Sequence, residues 1–132
     1  MKSIKKSFSK SNVKERDTWE NNFNHPVFCF RYLHRNCHIN KCESNEKIDL
    51  LERIVKLSGL SWQEIETTGR HGFGSEKISR ESIKQDLPND ITEDVSHFLA
   101  LRFSGKKAFV GFRNKFVFHI LYIDRDFTLY HH

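Results

Sequence analysis

The chain has 132 residues and a formal net charge of +5, with 37% hydrophobic residues that include 12 Phe, 3 Tyr and 2 Trp. That length suits one domain with one core, in which each aromatic ring can bury ~150–250 Å². No apolar run approaches the ~18 residues of a membrane span, and no apolar signal core follows the basic N-terminus. The cysteines number three, an odd count that argues against a disulfide framework. A reducing cytoplasm is the expected compartment.

The charge is uneven. Residues 1–16 hold six Lys/Arg and one Glu, which accounts for the whole +5. Within the remainder, residues 43–94 sum to −5 and residues 97–132 to +4. An acidic middle and a basic C-terminal third can attract each other, or the latter can face an anionic partner.

Taken in order, residues 1–16 (MKSIKKSFSKSNVKER) are Lys/Ser-rich without a sustained period. They are expected to form a flexible basic arm ahead of a single α+β domain over 17–132. Such an arm adds salt-sensitive contacts to a nucleic acid, or merely aids solubility. Trp19 and Phe23 are the apolar anchors of the polar stretch that follows.

His25-Pro26 opens a strand over residues 27–33 (VFCFRYL). Phe28 and Phe30 face one way, and Val27, Cys29 and Arg31 the other. A polar turn at 34–37 and a short return strand at 38–41 complete a predicted hairpin. His34, Cys37, His38 and Cys42 fall within nine residues and invite a zinc site. Zinc sites, however, commonly pair two motifs. Here there is no C-x-x-C, and one hairpin would make a cramped chelate. The expectation is therefore a polar hairpin, with no metal and no cofactor.

Residues 46–58 (EKIDLLERIVKLS) are the clearest helix. Ile48, Leu51 and Val55, with Leu50, Ile54 and Leu57, give it a broad apolar stripe. Ser44 or Asn45 is the expected cap, and Gly59 ends the helix. Ser61-Trp62-Gln63-Glu64 is a capping-box pattern for a short helix over 61–67. Both helices are expected to cover the sheet.

Gly69 to Glu76 (GRHGFGSE) is a glycine-rich loop whose backbone can turn sharply or approach a ligand. No strand precedes it and the spacing fits neither a P-loop nor a dinucleotide fingerprint. Arg70, His71 and Glu76 are nevertheless the residue types that phosphodiester chemistry uses. The plainer alternative is a connecting loop with ordinary surface charge. Residues 79–87 suggest a weak helical turn ended by Pro88.

Three runs rich in aromatic and β-branched residues follow, at 96–103, 107–113 and 116–124, separated by Ser104-Gly105-Lys106 and Asn114-Lys115. They read as a three-stranded antiparallel meander, with a helix over 91–103 as the alternative. The third run is apolar on both parities, as in a strand buried on both faces. Phe116, Phe118, Ile120 and Tyr122 would face one way, and Val117, Leu121 and Ile123 the other. His119 interrupts the second set, either as a satisfied core histidine or as the lining of a site.

The order of elements is similar to a set of small, largely uncharacterised bacterial proteins common in mobile elements and phage-defence neighbourhoods. The matching residues are Phe28, Phe30, Tyr32 and Leu33, then Asn40-Lys41-Cys42, Leu50-Leu51 and Leu60-Ser61-Trp62-Gln63-Glu64. At the end they are Phe118, Ile120, Tyr122, Asp124, Leu129 and Tyr130, in a pattern F-x-I-v-W-l-D-p-x-H-x-L-Y. Arg125 and Phe127 stand where that pattern has Pro and His. The resemblance implies a mobile-element or defence setting, and it carries Asp124 and Tyr130 over as candidate site positions.

The expected function is a toxin-like protein that binds RNA or cleaves it without metal. His71 and His119 would move protons, and Arg70, Arg102 and Arg113 would contact phosphates. The alternative is a non-enzymatic accessory or inhibitory module, docking an antitoxin or a defence component through its acidic helical half and its sheet edge. DNA binding is disfavoured, because no helix–turn–helix stands out and the helices are acidic.

Overall fold

The structure, a computed structural model, describes residues 24–67 and 74–131. The basic arm, Arg70 and His71 lie outside the described residues. Five strands are present among them: β1 (Val27–Cys29), β2 (Glu76–Ser79), β3 (His97–Ser104), β4 (Lys107–Asn114) and β5 (Val117–Asp124). They form one mixed sheet in the order β1-β5-β4-β3-β2. The fold is α+β, and β3 to β5 are the antiparallel meander that the sequence predicts.

The meander follows from local chemistry. Its runs favour pleated, half-buried backbone, and its breaks supply the turns. Gly105 and Lys115 take positive φ, 59° and 60°, as tight hairpin turns require. Two elements differ from the sequence prediction. First, β1 does not pair with residues 38–41, which form a short 3-10 turn at Ile39–Lys41. It lies parallel to β5 instead, with Cys29 opposite His119. Second, the polar segment Glu76–Ser79 is a strand antiparallel to β3, where the sequence suggests the end of a loop. Across the sheet Ile78 packs with Phe98, and this pairing outweighs the segment's weak intrinsic preference.

Helix α1 (Ser44–Ser58) and helix α2 (Trp62–Thr67) cover one face of the sheet. The N-cap of α1 is Glu43, ahead of the predicted Ser44 or Asn45, and the helix begins two residues before the predicted position 46. The carboxylate of Glu46 accepts the Glu43 backbone N–H at 2.8 Å, so an acidic side chain satisfies the free end of the helix. Gly59 closes α1 as expected. The predicted capping box of α2 is present, with Glu64 N–H donating to Ser61 Oγ at 3.1 Å and Ser61 N–H to Glu64 Oε1 at 2.9 Å. Leu50, Leu57, Trp62 and Ile65 pack on Leu101, Phe109, Phe118 and Ile120.

Among the described residues the other face carries no α-helix, only short 3-10 turns such as Arg35–Cys37 and Arg80–Ser82. Irregular segments cover it, and Ile78, Phe98, Ala100, Val110, Leu121 and Tyr122 fill its core. Arg80 pins one of these segments, donating to the carbonyls of Thr92 and Val95 at 2.6 and 2.9 Å. Tyr122 donates its hydroxyl to the Asp86 carbonyl at 2.8 Å. Leu129 and Tyr130 tuck in beneath.

A bulge in β5 changes which side chains share a face. Val110 pairs with Tyr122 but Gly111 pairs with Ile120, which leaves Leu121 without a partner on β4. Tyr122 therefore joins His119 and Leu121 on the helix-free face, and Ile123 moves to the helix side. This corrects the strict alternation read from the sequence, since one inserted residue reverses the parity beyond it. Gly111 makes the bulge feasible, because a Cβ there would collide with the backbone carbonyl of His119.

The two layers are tied at one end by a buried ion pair. Glu46 is 3% exposed, and its two carboxylate oxygens accept from Arg125 Nε at 2.8 Å and Nη2 at 3.0 Å. Lys107 Nζ stands 3.5 Å away. The Arg125 hydrogen bonds hold the Glu46 carboxyl down at about 2, against an ordinary 4.5. Among the described residues no helix is long and apolar enough to cross a membrane.

Two outcomes are expected. Gly111→Ala should destabilise the fold by at least about 2 kcal/mol, because neither backbone can yield cheaply; urea unfolding measures it. Glu46→Gln should cost about 2–3 kcal/mol, less than a fully buried pair because Arg125 also reaches Asp126 and water. Glu46's contribution is complete above pH ~4.5 and is lost as pH falls toward 2, since its folded-state value is depressed. The variant should therefore show a flatter acid limb than the wild type in a pH series of melting temperatures.

Candidate functional site

His119 is the one polar side chain facing inward from the middle of β5, and the strand pairing decides its neighbours. Phe112 lies directly opposite on β4 and Cys29 on β1. The Phe112 ring stacks on the imidazole with centroids 4.9 Å apart and planes 21° apart. The Tyr32 ring leans on it at 5.6 Å, and the Arg31 guanidinium sits 5.7 Å from the Tyr32 ring centre. The group is half open to solvent: His119, Phe112, Tyr32 and Cys29 are partly exposed, Arg31 is exposed, and Val27 is 50% exposed.

Nδ1 of His119 is buried and has no hydrogen-bond partner, an uncommon state that leaves the nitrogen's desolvation uncompensated. Burial lowers the imidazole below its ordinary 6.5, so at pH 7 the ring is neutral. A neutral imidazole between aromatic faces can accept a proton or stack on a planar ligand.

A cleft of about 610 Å³ opens at the same end of the sheet, with Glu66, Lys77, His97, Phe112 and Arg113 in its wall. Phe112 belongs to both the cleft and the His119 ring group. Arg113 is held over Trp62, its guanidinium 4.7 Å from the ring centre. Its Nε donates to the Lys115 carbonyl at 2.5 Å, and its Nη1 lies 3.5 Å from Glu66 Oε2. The guanidinium is thus positioned, and its side chain stays 37% exposed.

The other sequence candidates fall elsewhere. Arg102 pairs with Ala108 on the helix-free face, whereas Arg113 pairs with Phe118 on the helix face. The two arginines sit on adjacent strands but opposite faces. Arg102 shares a face with His119, but four residues further along the strands, roughly 13 Å, with Ala100, Val110 and Leu121 packed between. Its stem lies against Gly74, where a Cβ would come within 2.5 Å of Arg102 Cγ and φ is +74°. This explains the last glycine of the loop. Glu76 lies across from Ala100 and therefore also on the helix-free face. Arg70 and His71 lie outside the described residues.

Asp124 is 2% exposed and accepts the backbone N–H groups of Thr128 and Leu129 at 3.0 and 3.2 Å. It organises the turn after β5. Tyr130 is buried in the helix-free core. The positions carried over by resemblance are thus placed where they build the C-terminal turn.

The His/Cys cluster of residues 34–42 does not converge. His34 and His38 each accept a backbone N–H through Nδ1, from Asn36 at 3.0 Å and Asn40 at 3.3 Å. Cys37 packs on one face of the sheet and Cys42 on the other. Burial raises both thiols, Cys37 to about 11, which disfavours the thiolate that zinc needs. Among the described residues no group of three or more His, Cys, Asp or Glu is arranged to hold a metal.

The sequence singled out His119 by its polarity in an apolar run, but not Phe112 or Tyr32. Phe112 has the same signal as any core aromatic until its register is known. No family model, no curated protein and no solved structure matches the chain.

The His119 environment makes a direct expectation. An NMR titration should place its midpoint below 6.5, and Phe112→Ala should raise it by admitting water to the ring. Because the folded-state value is depressed, the buried neutral ring costs stability as pH falls below 6.5 and costs nothing well above it.

Proposed function

We propose that this chain is a toxin-like RNA-binding protein of a mobile element or defence locus, taking single-stranded RNA at the His119 end of the sheet. The observation that carries this reading is the half-open ring group of Tyr32, His119 and Phe112. Unpaired bases stack on such faces, at about 1–3 kcal/mol per base. Arg113 and Lys77 in the adjoining cleft and Arg31 beside Tyr32 supply cations for phosphates. The sequence resemblance supports the mobile-element setting.

Metal-independent cleavage is the further step at the same site. A neutral His119 has the chemistry of a base that takes the 2′-OH proton, so that the 2′-oxygen attacks phosphorus and the 5′-oxygen leaves. A proton must reach that leaving oxygen, and His71 is the sequence's candidate for delivering it. The accessory-module alternative draws on a different surface, the outer side of α1.

Fluorescence anisotropy with a single-stranded oligoribonucleotide tests the proposal. Tyr32→Ala and the Phe112→Ala/His119→Ala pair should each weaken binding roughly 5- to 150-fold for every base that no longer stacks. Arg113→Ala should lower the salt slope by about 1. A wild-type protein without salt-dependent binding, or ring variants that bind as wild type does, would overturn the proposal. A denaturing gel of the same mixtures reads cleavage separately.

A further inference from the structure

Helix α1 is apolar on two sides. Glu46, Leu50 and Leu57 are buried, whereas Ile48, Leu51 and Val55 are 56%, 63% and 66% exposed. At roughly 100° per residue, the exposed three share one side of the helix and the buried three the far side. Among the described residues no segment covers the exposed stripe. Phe30, 45% exposed, and a groove of about 400 Å³ that runs past Leu33, Ile39 and Ile54 extend the apolar surface beyond it. Lys47 and His38 are the polar residues at the margin of that groove. A stripe continuous with an apolar groove exceeds the scattered exposure of an ordinary surface.

The pattern fits a second copy of the same helix. Read as a heptad, Ile48 and Val55 are a positions and Leu51 is d. A β-branched residue at a with Leu at d is the preference of parallel two-stranded seams. Ser44 and Ser58, the d positions at either end, limit the seam to three layers. Lys47 is then g and Glu52 is e, and both are exposed. In a parallel pair each g residue lies against the e residue five positions on in the other helix. Lys47 therefore meets Glu52 of the second copy, twice by symmetry. Lys56, one turn beyond Glu52 on the same side of its own helix, sets a further cation near that carboxylate. An antiparallel pair instead sets e against e and g against g. Glu52 would then face Glu52 of the second copy, and Lys47 would face Ile54. The seam can be short because α1 is already packed on the sheet and capped at both ends, so pairing does not have to induce the helix.

We propose that two copies of the chain pair through α1, with the helices parallel about a two-fold axis. Ile48, Leu51 and Val55 form the seam, and Lys47–Glu52 pairs flank it on both sides. Each sheet lies on the side of α1 away from the seam, so the two bodies point apart. Three layers put the contact at the small end of specific interfaces, below ~1,200 Å² in total, so the dimer is reversible with concentration. It is independent of the RNA proposal, because His119 and α1 are on opposite faces of the sheet.

Sedimentation velocity on the full chain between about 1 µM and 1 mM tests this. The wild type should pass from monomer to dimer over that range. Leu51→Glu, a change at an exposed position, should weaken the dimer ~100-fold or more while the melting temperature of the monomer is kept. Glu52→Lys should weaken it roughly 3- to 30-fold by setting like charges on both flanks, and Lys47→Glu/Glu52→Lys should restore it. A wild type still monomeric at about 1 mM, or a dimer indifferent to Leu51→Glu, would overturn the proposal. A dimer that Leu51→Glu dissociates but Glu52→Lys leaves unchanged is antiparallel and would overturn it too, as would a double variant that pairs no better than Glu52→Lys.

Discussion

Strand β5 has to be dry on both faces, and the rest of the molecule is arranged to make it so. Its neighbours β1 and β4 satisfy its backbone. Helices α1 and α2 cover Phe118, Ile120 and Ile123, and irregular segments cover Leu121 and Tyr122. The bulge at Leu121 divides these side chains between the layers, and the missing Cβ of Gly111 lets the bulge form. His119 sits two residues before that bulge and is only partly covered. The imidazole is therefore neither sealed in the core nor free at the surface, and its buried Nδ1 and lowered basicity follow from this position.

The second constraint is electrostatic. The sequence divides into an acidic middle and a basic C-terminal third, and the Glu46–Arg125–Lys107 cluster joins them inside the structure. Part of the sheet's positive charge is thus consumed in holding α1 in place. Among the described residues, Arg31, Lys77, Arg113 and Lys115 are cations at the His119 end. Arg125 anchors the helix layer through Glu46.

The meander was legible because strand-forming runs alternate with turn residues over short distances. So were α1, α2 and their caps, to within two residues. What could not be read were the relations between distant segments. The parallel pairing of β1 with β5 leaves no local trace, and the polar Glu76–Ser79 becomes a strand through its partner. The bulge defeated a strict alternation by one residue, which moved Tyr122 and Ile123 to opposite faces from those expected. The same limit applied to the site. His119 was conspicuous, but only register showed that Phe112 and Tyr32 flank it, and that Arg102 and Arg113 are on different faces. The stripe on α1 was read as core because an apolar helix face does not say how much of it the sheet will cover.

If the half-open rings around His119 hold a single-stranded nucleic acid, amide chemical-shift mapping with an unlabelled oligoribonucleotide is the most direct test. The largest changes should fall on Arg31, Tyr32, Phe112, Arg113 and His119, while α1 from Ile48 to Val55 is unmoved. No perturbation at saturating oligonucleotide, or changes centred on α1 with the His119 group silent, would contradict it.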